Sequence, residues 1–212
     1  MDGFKQQVAG AGCVGGAIAC ICTLACCAGA VTFVTFLGKY AFANPNAEAW
    51  YGNVNGSPTL EPTEEALAGA SDVTDIHGKF VTWFLWGFIQ ALLPIATGLL
   101  SAICGAIHPS AGACFGGLGG CGVAFGGLAW YICGLVWRFG AAGNFASGDV
   151  IPADKDAAAW AEAVQCDATT AGCLSQYSSG NFMYIYFLIT WIVMGVSCGC
   201  SIIGALVACM CK

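Results

Sequence analysis

Fifteen of the 212 residues are cysteines, and their positions indicate what chemistry the chain could perform. Cys166 and Cys173 stand apart from the long apolar stretches, and an isolated pair of this kind is typical of a disulfide in an oxidising compartment. The other 13 (15 minus 2) lie in apolar stretches. There, close packing of small side chains is the first interpretation, lipidation the second and a metal or redox site the third. Palmitoylation is predicted for cysteines near the chain ends, namely Cys13, Cys209 and Cys211.

Neither a metal site nor a catalytic centre is predicted. Cys13, Cys20 and Cys27 recur every seven residues on one helix face, which separates neighbours by about 10 Å, too far to share one zinc ion. No Asp, Glu, Lys or Arg lies within the apolar stretches, where an ionisable residue would indicate a proton or ion pathway. We therefore expect a protein that is not an enzyme and that needs no cofactor.

The segment Asn55-Gly56-Ser57 is a sequon for N-glycosylation, followed by Pro58, which weakens it. A glycan on Asn55 and a disulfide would both place the loops outside the cell or in a lumen, with both chain ends in the cytoplasm. The basic residues favour the reverse, since the loops carry four of the six and cytoplasmic segments are normally richer in Lys and Arg. For the orientation, these six basic residues are weaker evidence than the predicted disulfide and the sequon.

The composition is that of a membrane protein, because 58% of the residues are hydrophobic and 8% are charged, against about 25% in soluble domains. Four stretches exceed the roughly 20 apolar residues that a spanning helix needs. Their continuous apolar character excludes a barrel. The prediction is an all-α integral membrane protein, a bundle of four transmembrane helices with two loops on one side, forming a single domain over 1–212. The spans are 8–38, 80–107, 111–137 and 182–210, with loop one at 41–79 and loop two at 138–181.

Within the loops, short helices are predicted over Pro62–Ala68 and Pro152–Gln165. The helices are expected to pack through small residues, because close approach drives association in lipid. The glycines with suitable spacing are Gly12 and Gly16 in the first span, Gly112, Gly116, Gly120, Gly122 and Gly126 in the third, and Gly195 and Gly199 in the fourth. Aromatic residues collect at the loop-side ends as an interfacial belt, which predicts a bundle that is wide there and narrow at the other end.

Four spans, two loops on one side and a tight turn at His108-Pro109 resemble the tetraspan group, which includes claudins, MARVEL proteins and tetraspanins. The resemblance is one of topology. Loop one has Trp50-Tyr51-Gly52 and no cysteine, where claudins have a Trp and Gly-Leu-Trp with two cysteines, and loop two lacks the Cys-Cys-Gly of tetraspanins. The resemblance implies a structural or organising role, and no site residue is carried over.

Three functions follow from these features. The first is a non-enzymatic scaffold that self-assembles laterally through small-residue helix faces and acidic loops and that shapes or curves the membrane. The second is an oligomeric channel with its pore between protomers, and the third is an accessory subunit of a larger membrane complex. Membrane lipids, copies of itself and other membrane proteins are the expected partners, whereas a net charge of −6 without a basic patch excludes nucleic acid. The expected location is the plasma membrane, an endomembrane or a ciliary membrane of a eukaryote.

Overall fold

A computed structural model describes residues 28–42, 48–152, 155–165 and 174–210, with the side chains of the last range described as far as residue 199. The described part is mostly helical. Three of its helices are long and apolar enough to cross a membrane, at Ile76–Ile107, Pro109–Phe139 and Tyr177–Gly199. A shorter apolar helix, α1, runs from Ala28 to Phe42. Most of the first predicted span, including Gly12 and Gly16, lies outside the described residues.

Helices α2 (Ile76–Ile107) and α3 (Pro109–Phe139) form an antiparallel hairpin. The α2 helix begins four residues before the predicted start at residue 80. The Asp75 carboxylate accounts for this, because it accepts a hydrogen bond from the Gly78 amide at 2.7 Å and so caps the helix. His108 separates the two helices, and Pro109 suits the first position of α3 because the missing amide proton has no partner there in any helix. The last long helix, α6, runs from Tyr177 to Met210.

Loop one contains an antiparallel sheet of three strands, which sequence analysis did not predict. The strands are β1 (Trp50–Val54), β2 (Ser57–Glu61) and β3 (Ser71–Asp75), in the order β2-β1-β3. Asn55 and Gly56 join β1 to β2 with φ of 53° and 85°, the positive values that a two-residue hairpin turn requires. The helix predicted over Pro62–Ala68 is wrong beyond one 3-10 turn at Glu65–Leu67, because the buried Leu67 packs on the sheet and Gly69 turns the chain with φ of 86°.

The described part of loop two contains two short helices, α4 (Ala141–Ala146) and α5 (Ala157–Val164). The helix predicted over Pro152–Gln165 is therefore five residues shorter at its start. Asp156 accounts for this difference, since its carboxylate accepts hydrogen bonds from the Ala158 and Ala159 amides at 3.1 and 3.4 Å and thereby begins the helix.

The core lies where the loop-side ends of the helices meet, and aromatic rings fill most of it. Trp83, Phe84 and Phe187 are fully buried, and Leu37 of α1 packs in the same cluster. The interfacial belt predicted from these aromatics is wrong for its central members, since Trp83 is 0% exposed and Trp130 only 7%. Their rings pack between helices because they meet one another there, which buries more of each ring than a position facing lipid headgroups would.

Candidate functional site

Two tryptophans join α2 to α3 at the centre of the core. The Trp83 and Trp130 rings stack with centroids 4.6 Å apart and an interplanar angle of 16°. Each indole N–H donates to the backbone carbonyl of the other residue, at 3.1 Å from Trp83 and 2.7 Å from Trp130. Gly87 makes room for this pair, because a Cβ there would lie 2.6 Å from the Trp130 ring. The pair fixes both the separation and the register of the two helices.

Arg138, at the end of α3, connects the helices to loop two. Its side chain is 2% exposed, and its Nε donates to the Gly180 carbonyl in α6 at 2.7 Å. Its Nη1 donates to Asn144 Oδ1 at 3.1 Å and to the Asp149 carboxylate at 2.6 Å. A buried guanidinium needs such partners, since leaving its charge unpaired would be costly. Arg138 therefore ties α3, α4, the following turn and α6 into one unit.

Loop one and loop two pack against each other, and their described parts, residues 48–75 and 140–176, are called the loop domain here. The Tyr51 ring of β1 lies 6.0 Å from the Phe145 ring of α4 in an edge-on arrangement. His77 Nδ1 and Gln176 Oε1 lie 3.3 Å apart, and the backbone N–H of Gln176 donates to the Ala146 carbonyl. The helix ends and both loops thus form one continuous folded region.

The loop domain is acidic. Burial raises the pKa of the Tyr51 phenol, and the Asp72 carboxylate raises it further, so Tyr51 remains protonated well above neutral pH. The described acids, among them Glu61, Glu64 and Glu65, are not gathered into a metal site: within the described residues no group of three His, Cys, Asp or Glu could hold an ion.

The predicted helix-packing glycines divide into two sets. Gly112, Gly116, Gly122 and Gly126 of α3 contact α2, and the Gln90 amide lies against Gly126. Gly120 of α3 and both Gly195 and Gly199 of α6 have no described atom within 4 Å of the point that a Cβ would occupy. Sequence analysis missed Gly119, where a Cβ would lie 2.5 Å from Thr97 Cβ. Gly112, Gly119 and Gly126 are spaced seven residues apart, which is the repeat of one helix face in coiled-coil packing.

At Gly112 the backbones of α2 and α3 approach closely, since a Cβ there would be 2.6 Å from Gly105 Cα and 2.8 Å from the Ser101 carbonyl oxygen. Both obstacles are backbone atoms, so neither can move aside. We expect Gly112→Ala to lower the free energy of unfolding by about 1–3 kcal/mol, measured by denaturant titration in mild detergent. Gly117→Ala is the matched control, since no described atom lies within 4 Å of its Cβ position. Equal stability of the two variants would contradict this packing.

The remaining predicted modification sites are placed as follows. Asn55 is exposed at the tip of the β1–β2 hairpin. Cys166, Cys173, Cys13 and Cys211 lie outside the described residues, and Cys209 lies in α6 in the range where only the backbone is described. Among the described cysteines, the free thiols belong to the helices: Cys104, Cys114, Cys121, Cys133 and Cys198. The disulfide and the lipidation sites remain predictions.

In comparison with known proteins, no family model, no curated protein and no solved structure matches the chain. The resemblance to tetraspan proteins remains a prediction from topology.

Proposed function

We propose that this chain is a non-enzymatic membrane scaffold that self-assembles laterally, with four spans and with both loops on the extracellular or lumenal side. The observation that carries the proposal is a stripe on α6 formed by Leu188, Ile192, Gly195 and Gly199. These residues follow the three- and four-residue spacing that places side chains on one helix face. Leu188 and Ile192 are 40% and 57% exposed, and neither glycine has a described neighbour within 4 Å.

A small-residue pair four residues apart, flanked by exposed aliphatic side chains, is the surface that a second membrane helix approaches closely. The rigid loop-side core supports the same role. Since Arg138 and the Trp83–Trp130 pair hold α2, α3 and α6 together at that end, the α6 stripe would be presented in a constant orientation to a neighbouring copy. A repeated contact of constant geometry is what a lateral array or a curved sheet of copies requires.

The assembly is tested by Gly195→Leu combined with Gly199→Leu. We expect the purified protein in lipid nanodiscs or mild detergent to change from oligomers to monomers, because two leucines would hold a second helix away. The thermal stability of the monomer should be unchanged, because the described residues leave open space at both positions. Gly117→Leu is the control, with the same change on an open face of α3. A protein that is monomeric before substitution, or oligomers that persist in the double variant, would overturn the proposal.

The side of the loops is tested through the sequon. We expect Ser57→Ala to remove a glycan from Asn55, seen as increased gel mobility equal to that after glycosidase treatment. Ser57 is the better residue to change, because Asn55 adopts positive φ at the hairpin tip and a substitution there would strain the turn. Protein made in a eukaryotic cell with no glycan on Asn55 would leave the loops-outside arrangement unsupported, and labelling of Lys155 from the cytoplasmic side would contradict it.

A channel between protomers is the second candidate, favoured by one residue. The Gln90 side-chain oxygen is buried and has no hydrogen-bond partner among the described residues, although it lies in an apolar helix where such an atom is costly. The hydroxyls nearby offer less support: Thr97 donates to the Leu93 carbonyl at 2.8 Å and Ser101 to the Gly112 carbonyl at 2.7 Å. Ion flux through reconstituted vesicles that Gln90→Leu abolishes would favour the channel over the scaffold.

A further inference from the structure

The hairpin of α2 and α3 carries a groove of about 600 Å³ along the half that is nearer His108. Its lining runs from Pro94 to Ala102 on α2 and from Gly116 to Ala124 on α3, and most of the lining residues are glycine, alanine, serine or threonine. None of the described residues of α1 or α6 lines this groove. Within the described part of the chain, this side of the hairpin is therefore uncovered.

On α2, the groove continues the surface that α1 covers near the loops. The Phe84 ring stacks on the Tyr40 ring of α1 with centroids 4.9 Å apart, and Phe88 also packs against α1. Gly98 and Ala102 follow Phe84 and Phe88 by 14 residues each, which is close to four helical turns. All four residues thus lie toward one face of α2.

On α3, the groove continues the surface that α6 covers near the loops. Gly134 lies against an aromatic ring of α6, and Arg138 donates to a backbone carbonyl of α6. Gly120 and Ala124 precede these two residues by 14 positions each, so they lie toward the same face of α3. The groove is therefore the deeper part of the surface on which α1 and α6 pack at the loop side.

The residues that precede α1 in the chain are within reach of the groove. The contacts of Tyr40 with Phe84 and of Gly38 with Phe88 set the level of α1 against the antiparallel α2. Continuing this register places residues 23–31 level with the α2 side of the groove. A segment tethered there has a high effective concentration, which a free lipid chain or a second copy does not share.

The composition of residues 8–27 suits a narrow groove. Gly, Ala and Cys make up 14 of these 20 residues, and none of the 20 is aromatic or charged. Cys26, Thr23 and Ala19 precede the buried Leu37 by 11, 14 and 18 residues, close to whole numbers of helical turns. In a helix that continued α1, these three side chains would share the face of Leu37. Small side chains on facing surfaces allow helices to approach closely in lipid.

We propose that residues 19–27, which lie outside the described residues, continue α1 as a helix and fill the groove, with Thr23 and Cys26 toward it. The proposal rests on the first of the four proposed spans. It does not depend on lateral assembly, because the groove belongs to one copy. A lipid chain and a helix of a second copy are the other occupants that an apolar groove could take, and the experiments below distinguish them.

The first test is Gly98→Cys in the full chain, oxidised in lipid nanodiscs. A cysteine fits at this position, because no described atom lies within 4 Å of the point that a Cβ would occupy. We expect a disulfide from residue 98 to Cys26 or Cys27 of the same chain, since such a bond needs Cα atoms within about 7 Å. Mass spectrometry of the monomer band from a non-reducing gel identifies it. Ala96→Cys is the matched control, an exposed alanine of α2 outside the groove, and should not form this bond.

The second test is Gly120→Leu, which places a large side chain in the groove. We expect the midpoint of thermal unfolding in nanodiscs to fall by about 5 °C, because the leucine would displace the segment. Gly117→Leu is the matched control: its Cβ position is equally open among the described residues, but Gly117 does not line the groove. The midpoint of this control should change little.

Three outcomes would overturn the proposal. They are a disulfide from residue 98 only to another copy, equal cross-linking of Gly98→Cys and Ala96→Cys, and equal unfolding midpoints for the two leucine variants. If no bond forms while Cys26 stays protected from a water-soluble thiol reagent, the segment spans the membrane but packs elsewhere. That result overturns the docking in the groove and leaves the four proposed spans standing.

Discussion

Replacing Trp83 with alanine is expected to lower the free energy of unfolding by about 3–5 kcal/mol. The indole is fully buried and touches the rings of Phe84, Trp130, Tyr186 and Phe187. Its removal would leave a large cavity between three helices. It would also remove the indole hydrogen bond to the Trp130 carbonyl, which adds to the loss at a buried site. The loss is measured by denaturant titration in mild detergent.

Two further variants separate the contributions of Trp83. Trp83→Phe retains a stacked ring but loses the indole N–H. Its free energy of unfolding should therefore lie between those of the native protein and the alanine variant. Trp191→Ala is the matched control, because Trp191 is 44% exposed and stacks on Phe139 at one side of the core. We expect it to cost about 1 kcal/mol. If Trp83→Ala and Trp191→Ala lose the same stability, the Trp83–Trp130 pair does not hold the helices together.

Replacing Arg138 with methionine is expected to lower the free energy of unfolding by about 3 kcal/mol. The methionine fills the space of the aliphatic stem but removes the guanidinium hydrogen bonds to the Gly180 carbonyl and to Asn144 Oδ1. The Asp149 carboxylate contributes less to the loss, because it is 47% exposed and water can solvate it. Denaturant titration gives the total, and hydrogen exchange at α4 and at the start of α6 shows whether these segments detach.

Lys39→Met is the control for Arg138, as it removes another cation at the loop-side end of a helix. Lys39 is exposed and lies 5.7 Å above the Tyr40 ring, so its replacement should change the stability by no more than about 0.5 kcal/mol. Asp149→Asn should cost less than Arg138→Met, since an amide oxygen still accepts from the guanidinium. An Arg138→Met variant as stable as Lys39→Met would show that the buried network does not support the fold.

The helices of the hairpin and of α6 were predictable because length and apolarity are properties of a continuous segment. The predicted spans at 80–107, 111–137 and 182–210 lie inside α2, α3 and α6, and the differences are at the ends. Those ends depend on caps. Asp75 begins α2 by accepting a backbone hydrogen bond, and Asp156 begins the short helix α5 in the same way. Aspartate is a common capping residue, so both residues are explained once the helix start is known.

The sheet of loop one was missed although one signal for it was present. Asn55-Gly56 is the pair most typical of a two-residue hairpin turn, but it was interpreted only as part of a sequon. The strands are five residues each and half-buried, which gives too short an alternation to stand out. Their stability comes from packing on the helix ends and on α4, and that contact does not appear in the local pattern.

The sequence by itself determined that the chain has long helices apolar enough to cross a membrane, a tight turn at His108 and acidic connecting segments, since composition along the chain decides each of these. Only the tertiary structure decided which glycines of α3 meet α2, that Trp83 and Trp130 are core residues, and that Arg138 is buried. The physical reason is that burial and pairing depend on partners distant along the chain, such as Trp83 with Trp130 and Arg138 with Gly180. The periodicity of one helix shows that a face is available for packing, and the neighbouring helix determines which face is used.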